Sequence, residues 1–497
     1  MIRRDSPLSS QSFGLALLTG LALLATGCQR KAQTAAPKVV LDSCREPGLE
    51  GDVTCGTYEV YEDRAARTGR KIPLNIVVAK ALAPSPQPDP LFVLAGGPGQ
   101  AATEIAKQIM PAFARVRRQR DVVFVDQRGT GKSNPLDCDP QRPDAGLAEQ
   151  LEEIDQVAEL KKCLAGYDAD PRLYTTAIAM DDLDEVRDAL GYPRINLWGG
   201  SYGTRAALVY LRQHGDRART AIIDGVAPVD LRLPLSFAKD GQRALDLLLA
   251  HCEQDPACGK AFPQLRPELQ ALLTRLKQQP VELTAQHPLT GAPERVKISH
   301  KQFTSNLRGL LYVPEAASLM PLTISRASAG DFAPYLAQAT MLSGGFEKGM
   351  SVGMFFSIIC AEDAPLVKEE DIQQQTAGTF LGDVFTREIL EGCEIWPRGF
   401  LPEGYHQPVR SAVPTLILSG ELDPVTPPAY GEAARQHLAN SRHLVVPGVG
   451  HGVTSQGCVP RLISEFISQG TAERLDLSCA QSLQRPPFFI TFAGPTR

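Results

Sequence analysis

No C-x-x-C pair occurs anywhere in the chain, so a thioredoxin-like redox centre and a cysteine-ligated zinc site are both poorly supported. There is no concentrated stripe of basic residues, and the formal net charge is −5, which argues against a nucleic-acid partner. The leading apolar run, Phe13 to Leu24, has about a dozen residues, too few to span a bilayer comfortably. Neither an internal repeat nor a low-complexity tract is present. What remains has the make-up of a soluble globular protein, 43% hydrophobic and 22% charged. Its 497 residues suffice for one large core with a subdomain, or for two domains.

Arg3 and Arg4 precede the apolar run, and Leu24-Ala-Thr-Gly-Cys28 ends it. A basic start, a short apolar stretch and small residues describe a signal peptide over residues 1–27. Small residues before a cysteine resemble the lipobox of bacterial lipoproteins, which makes Cys28 the expected lipidation site. Ordinary signal-peptide cleavage nearby is the alternative. Residues 28–40 then form a tether, and Gln29 after the cysteine favours the outer membrane. The expectation is an exported, periplasmic protein that meets a membrane only through its lipid. Setting Cys28 aside from the eleven cysteines leaves an even number, which suits an oxidising compartment. The economical pairing joins sequence neighbours: Cys44 with Cys55, Cys138 with Cys163, Cys252 with Cys258, Cys360 with Cys393, and Cys458 with Cys479.

The chain is organised around Gly199-Gly200-Ser201-Tyr202-Gly203. An apolar run containing Ile195, Leu197 and Trp198 precedes it, and Arg205-Ala-Ala-Leu-Val-Tyr-Leu follows. Strand, sharp turn and helix are the context in which G-x-S-x-G lifts a nucleophilic serine clear of the backbone. A second match, Gly349-Met-Ser351-Val-Gly353, lacks the preceding strand, and Ser351 reads as a loop or helix-start serine. Buried strands at 91–95, 121–126, 195–198 and 220–227 alternate with helical stretches, including one expected helix over 146–165. That alternation predicts a mostly parallel sheet covered on both faces, an α/β fold. Residues 236–395 read as helices, with a possible strand pair near 281–298, inserted as a cap between core segments 41–235 and 396–497. Strand patterns resume at 413–420 and 443–447.

A serine needs a base, and the base an orienting acid. Asp423 follows one late strand and His451 the next, in the order Ser, Asp, His used by α/β-hydrolases. Glu421 is the rival acid, and His443 is expected to face solvent. The N–H groups of Tyr202 and Gly97 are the expected oxyanion donors. Two decoys are weaker. Gly97-Pro-Gly-Gln-Ala-Ala102 fits a dinucleotide fingerprint but carries proline in the turn, and Gly131-Lys-Ser133 lacks the first glycine of a phosphate loop. No cofactor and no metal are called for.

Ala95-Gly-Gly-Pro-Gly99, Val125-Asp-Gln-Arg-Gly-Thr-Gly-Lys-Ser133, Gly200-Ser-Tyr-Gly203 and Gly420-Glu-Leu-Asp-Pro-Val-Thr-Pro together resemble the prolyl and tripeptidyl aminopeptidase family of α/β-hydrolases. The resemblance covers most of the chain beyond residue 50. It departs at Ala95, where prolyl iminopeptidases usually carry histidine, and at Tyr202, where they often carry tryptophan; both lean toward the tripeptidyl-type branch. It implies peptide substrates with a free N-terminus, whose amine is held by acids of the cap. Glu362 is the matching residue and Asp363 the reserve. A Cys360–Cys393 staple would tie that segment to Trp396. Asp126 and Arg128 look structural. An esterase or lipase on the same triad and a non-catalytic exported lipoprotein are the alternatives.

Overall fold

The computed structural model describes residues 39–138, 147–151, 153–287, 290–343 and 349–495. The expected signal peptide, Cys28 and nearly all of the tether lie outside the described residues. Among the described residues, nine strands form one sheet. In chain order they are β1 (Asp42–Ser43), β2 (Val53–Tyr61), β3 (Lys71–Ala79), β4 (Leu91–Leu94), β5 (Val122–Val125), β6 (Ile195–Gly200), β7 (Ala218–Asp224), β10 (Thr415–Gly420) and β11 (Ser441–Val446). Between the last two and β7 lies a separate hairpin, β8 (Val281–Gln286) with β9 (Pro293–Ile298). The spatial order is β1-β2-β3-β5-β4-β6-β7-β10-β11. The first three strands run antiparallel to their neighbours, and β5 through β11 of the main sheet are parallel.

Four consecutive apolar residues in β4 and again in β5 are all buried, as a strand covered on both faces requires. Alternate residues serve opposite cores. Phe92, Leu94, Val123 and Val125 join Met180, Leu183 and Ala206 of the helices Thr176–Ala189 and Tyr202–His214. Leu91, Val93, Val122 and Phe124 join Phe113 and Phe466 of the helices Ala102–Arg117 and Val459–Gln469. The charged stretch 146–165 is two helices rather than one, Leu147–Gln150 and Gln156–Gly166. Asp155 starts the second by accepting the Ala158 N–H, the capping bond that makes aspartate a helix opener.

The described part of residues 236–395 holds helices together with the β8–β9 hairpin, with an apolar interior around Leu245, Leu272, Phe303 and Tyr335. We call this segment the cap. The ten cysteines pair as sequence neighbours throughout: Cys44–Cys55, Cys138–Cys163, Cys252–Cys258, Cys360–Cys393 and Cys458–Cys479. Ser201, Asp423 and His451 all follow the C-terminal ends of parallel strands, where sheets of this kind gather their ligand-facing loops.

Candidate active site

Ser201 sits between β6 and the helix Tyr202–His214 with φ 56° and ψ −125°, a left-handed conformation that a side chain pays about 1–3 kcal/mol to adopt. Its neighbours hold it there. The Ser201 N–H donates to the Asp224 carbonyl at 2.9 Å, and the Ser201 carbonyl accepts from the N–H and Oγ1 of Thr204 at 2.9 and 2.6 Å. Two flanking glycines are sterically obligatory. A Cβ on Gly199 would stand 2.2 Å from the Gly203 carbonyl oxygen, and one on Gly203 would stand 2.2 Å from that of Leu94. The strand and helix therefore close to a distance only hydrogen atoms permit.

His451 donates from Nδ1 to Asp423 Oδ2 at 2.8 Å. Asp423 is fully buried and also accepts the N–H groups of Val425 and Thr426, at 2.9 and 2.8 Å. The Thr426 hydroxyl donates to the same Oδ2 at 2.8 Å and lies 3.1 Å from His451 Nδ1. Burial opposes the charge on Asp423, but the imidazole and these donors outweigh it and hold the carboxyl below its usual range. Burial likewise pushes the His451 imidazole down, yet Asp423 and, further off, Asp224 outweigh that and raise it above its ordinary value. The ring tautomer is thereby fixed, leaving Nε2 as the free face.

Ser201 and His451 face one cavity of about 550 Å³, which Gly97 and Tyr202 also line. No hydrogen bond joins Ser201 Oγ to the imidazole among the described residues; such contacts are commonly long without substrate and shorten in the reacting complex. Gly97 has φ 105°, and Tyr202 is the first residue of its helix. Among the described residues neither N–H has a hydrogen-bond partner, so both remain available to an anionic oxygen.

Glu362 and Asp363 are not brought to this cavity, contrary to the expectation for them. Both are fully buried. Arg205 binds Asp363 through two bonds at 2.8 and 2.9 Å, and reaches Glu362 at 3.4 Å. Glu362 also accepts the Thr176 N–H at 2.8 Å and the Tyr405 hydroxyl at 2.5 Å. Thr176 Oγ1 in turn meets the Tyr202 hydroxyl at 2.7 Å. The acids thus anchor the back of the helix that follows Ser201, and their oxygens are already occupied. Cys393 and Trp396 are joined to this segment as expected, Cys393 through its bond to Cys360 and Trp396 by donating to Ser357 at 3.1 Å.

The remaining sequence candidates find other places. Glu421 accepts the Gly448 N–H at 2.8 Å, bracing the loop before His451 without touching the imidazole. His443 is a correction: its side chain is only 7% exposed and lies 2.9 Å from Ser419 Oγ, because it points under the helix Pro428–Arg435 instead of outward. Ser351 starts the helix Val352–Ile358, and its N–H donates to Gly99, so the cap braces the glycine loop. Asp126 accepts from Asn75 and Thr103, and Arg128 clasps Asp182. Asp224 was missed. Its carboxylate accepts the N–H groups of Val453 and Thr454 at 2.8 to 3.0 Å, two and three positions beyond His451. An aspartate ending a strand gave no signal that separated it from a turn residue.

A family model described as the alpha/beta hydrolase fold matches residues 89–261, and one described as a TAP-like protein matches residues 378–479. The chain is 25% identical to the serine protease Hip1 of Mycobacterium tuberculosis, over 93% of this chain and 96% of that one. It is 30% identical to the tripeptidyl aminopeptidase of Streptomyces lividans over 37% of each chain. It is 28% identical to the proline iminopeptidase of Arabidopsis thaliana over 28% of this chain and 27% of the relative.

Proposed function

We propose, from the premise that the chain belongs to the α/β-hydrolase family of serine hydrolases, that it is an aminopeptidase of the tripeptidyl or prolyl type. The observation that carries this is the Asp423–His451 bond standing at the same cavity as a serine strained clear of its backbone. His451 Nε2 takes the Ser201 proton, and Oγ attacks the scissile carbonyl. The N–H groups of Gly97 and Tyr202 hold the resulting oxyanion; such a donor is worth about 10²–10³ in rate. His451 then returns its proton to the leaving amine, and water releases the acyl group by the same steps in reverse. Asp423 keeps the imidazole in the productive tautomer throughout.

The test is hydrolysis of peptides with a free amino terminus against the same peptides N-acetylated, each with a coloured leaving group. Preference for the free series, lost in Ser201→Ala, supports the reading. A second reading, an esterase on the same residues, is favoured by one feature: no aspartate or glutamate among the described residues lines the cavity. Equal turnover of free and blocked peptides, with faster turnover of esters, would select it.

The lipobox-like Leu24–Cys28 stretch and the five disulfides support an exported protein, anchored by lipid on Cys28 at the periplasmic side of the outer membrane.

A further inference from the structure

Arg308 belongs to the cap helix His300–Leu310 and lines the cavity that holds Ser201 and His451. Its guanidinium lies over the Phe237 ring at 4.2 Å and 5.4 Å from the centre of the Tyr312 ring. One nitrogen, Nη2, donates to the Tyr312 hydroxyl at 3.0 Å. Nε is buried without a hydrogen-bond partner, and no carboxylate among the described residues pairs with the group. Arg308 itself is half-buried, whereas three arginines buried more deeply are matched by carboxylates: Arg128 by Asp182, Arg205 by Asp363 and Arg120 by Asp89. A guanidinium presents its N–H donors in a planar fork and carries no acceptor of its own. Two aromatic faces strip part of its water and return only a modest cation–π attraction. The site therefore has a guanidinium with a buried, unpartnered Nε–H and, among the described residues, no carboxylate to pair with it.

Its position ties it to the reacting groups. The Tyr312 ring meets the His451 ring edge-on at 5.2 Å, and the Tyr312 carbonyl accepts the His451 N–H at 2.9 Å. Arg308 is thus one side chain removed from the imidazole, on the cap side of the cavity. Leu231, Phe237 and Val425 are among the apolar residues lining the same cavity, and an apolar lining strengthens any ion pair formed there.

We infer that Arg308 is a specificity-determining residue and that the cavity selects acyl groups carrying a carboxylate, namely released peptides with an acidic side chain. This rests on the chemistry proposed for Ser201. A planar guanidinium receives a carboxylate through paired, charge-assisted hydrogen bonds, whereas the isosteric amide offers one acceptor and no charge.

The experiment compares tripeptide amides bearing a single Glu at the first, second or third position with their Gln counterparts. Binding is measured by calorimetry on the full-length Ser201→Ala protein, which needs no turnover, and kcat/KM on the wild type with aminocoumarin amides of the same peptides. At one or more positions the Glu peptide should bind and react about tenfold better. Adding Arg308→Gln should bring the ratio to parity, and Arg308→Lys should retain part of it. Parity in the Ser201→Ala protein at all three positions would overturn the inference, as would a Glu preference unchanged by Arg308→Gln. If Arg308→Gln fails to fold, the ratio in the Arg308-containing proteins still decides, together with Arg308→Lys. Absence of wild-type turnover of every amide would instead count against the proposed peptidase, while the binding ratio continues to judge Arg308.

Discussion

Ser201 and Asp224 are joined by a backbone hydrogen bond of 2.9 Å, and the carboxylate of the same Asp224 carries the loop that follows His451. One residue at the end of β7 thus sets the position of both the hydroxyl and the imidazole. The Thr454 hydroxyl also donates to this carboxylate at 2.6 Å while accepting from the Trp198 indole at 2.8 Å. Among the described residues no Lys or Arg side chain pairs with Asp224, and burial raises its own carboxyl.

Asp224→Asn is expected to move the pH profile. A general base works when neutral, so kcat/KM rises with pH through the imidazole's titration. Because the His451 imidazole is raised, that acidic limb should lie above the ordinary histidine value in the wild type. Removing the Asp224 charge withdraws part of the raising, and the limb should shift to lower pH. The amide also offers fewer acceptor sites to the N–H groups of Val453 and Thr454, so the plateau rate should drop by about tenfold. A lower plateau with an unmoved limb would show that Asp224 acts on loop position alone.

Glu362→Gln separates bracing from amine recognition. Glu362 accepts from Thr176, Tyr405 and Arg205, and it does not line the cavity. The variant should lose on the order of 1–3 kcal/mol of stability, read as a lower unfolding midpoint in urea. Its discrimination between free and N-acetylated peptides should match the wild type. Loss of that discrimination in a folded variant would restore Glu362 as the amine-binding acid.

Asp240 makes the stability of the protein depend on pH. It lies on the cap helix Ser236–Gln254, accepts the Tyr430 hydroxyl at 2.7 Å, and burial raises its carboxyl to about 6. The folded form therefore holds a proton that the unfolded form releases nearer the ordinary value of 3.8. Stability from this group is present at low pH and is lost as pH climbs through the folded value. Asp240→Asn should melt with the wild type at about pH 4 and above it at about pH 8. Equal melting temperatures at both would contradict the sign.

Cys28→Ser tests the proposed anchor. Cells given labelled palmitate should label the wild-type protein and leave the variant unlabelled, with the variant recovered in the soluble periplasmic fraction. Equal labelling of both would place any lipid elsewhere.

The parts of the site that could be read in advance were those announced locally. Ser201, Asp423 and His451 each follow an apolar run within a few residues, and glycine marks the turns around Ser201 and His451. The four-residue apolar blocks of β4 and β5 announced buried strands in the same way. What stayed hidden were long-range contacts. Asp224 and Val453 are 229 positions apart, and Arg205 and Glu362 are 157 apart. An acidic pair in the cap looks the same in sequence whether it faces a substrate or a buried arginine. His443 misled for a related reason: at a strand's start, polarity suggested solvent, whereas the helix Pro428–Arg435 supplies its surroundings.

The disulfides have a mechanical consequence. Cys252–Cys258 and Cys360–Cys393 each lie wholly inside the cap, and the other three lie wholly outside it. Covalent staples stiffen each part but rivet none to the other. Across the seam stand weaker latches, such as Arg243 on the carbonyls of Glu421 and Asp423 and Tyr430 on Asp240. Parting the cap from the core would therefore break hydrogen bonds, apolar contacts and the buried Arg205–Asp363 ion pair while every sulfur–sulfur bond stays shut, so opening of that seam and oxidation are mechanically independent.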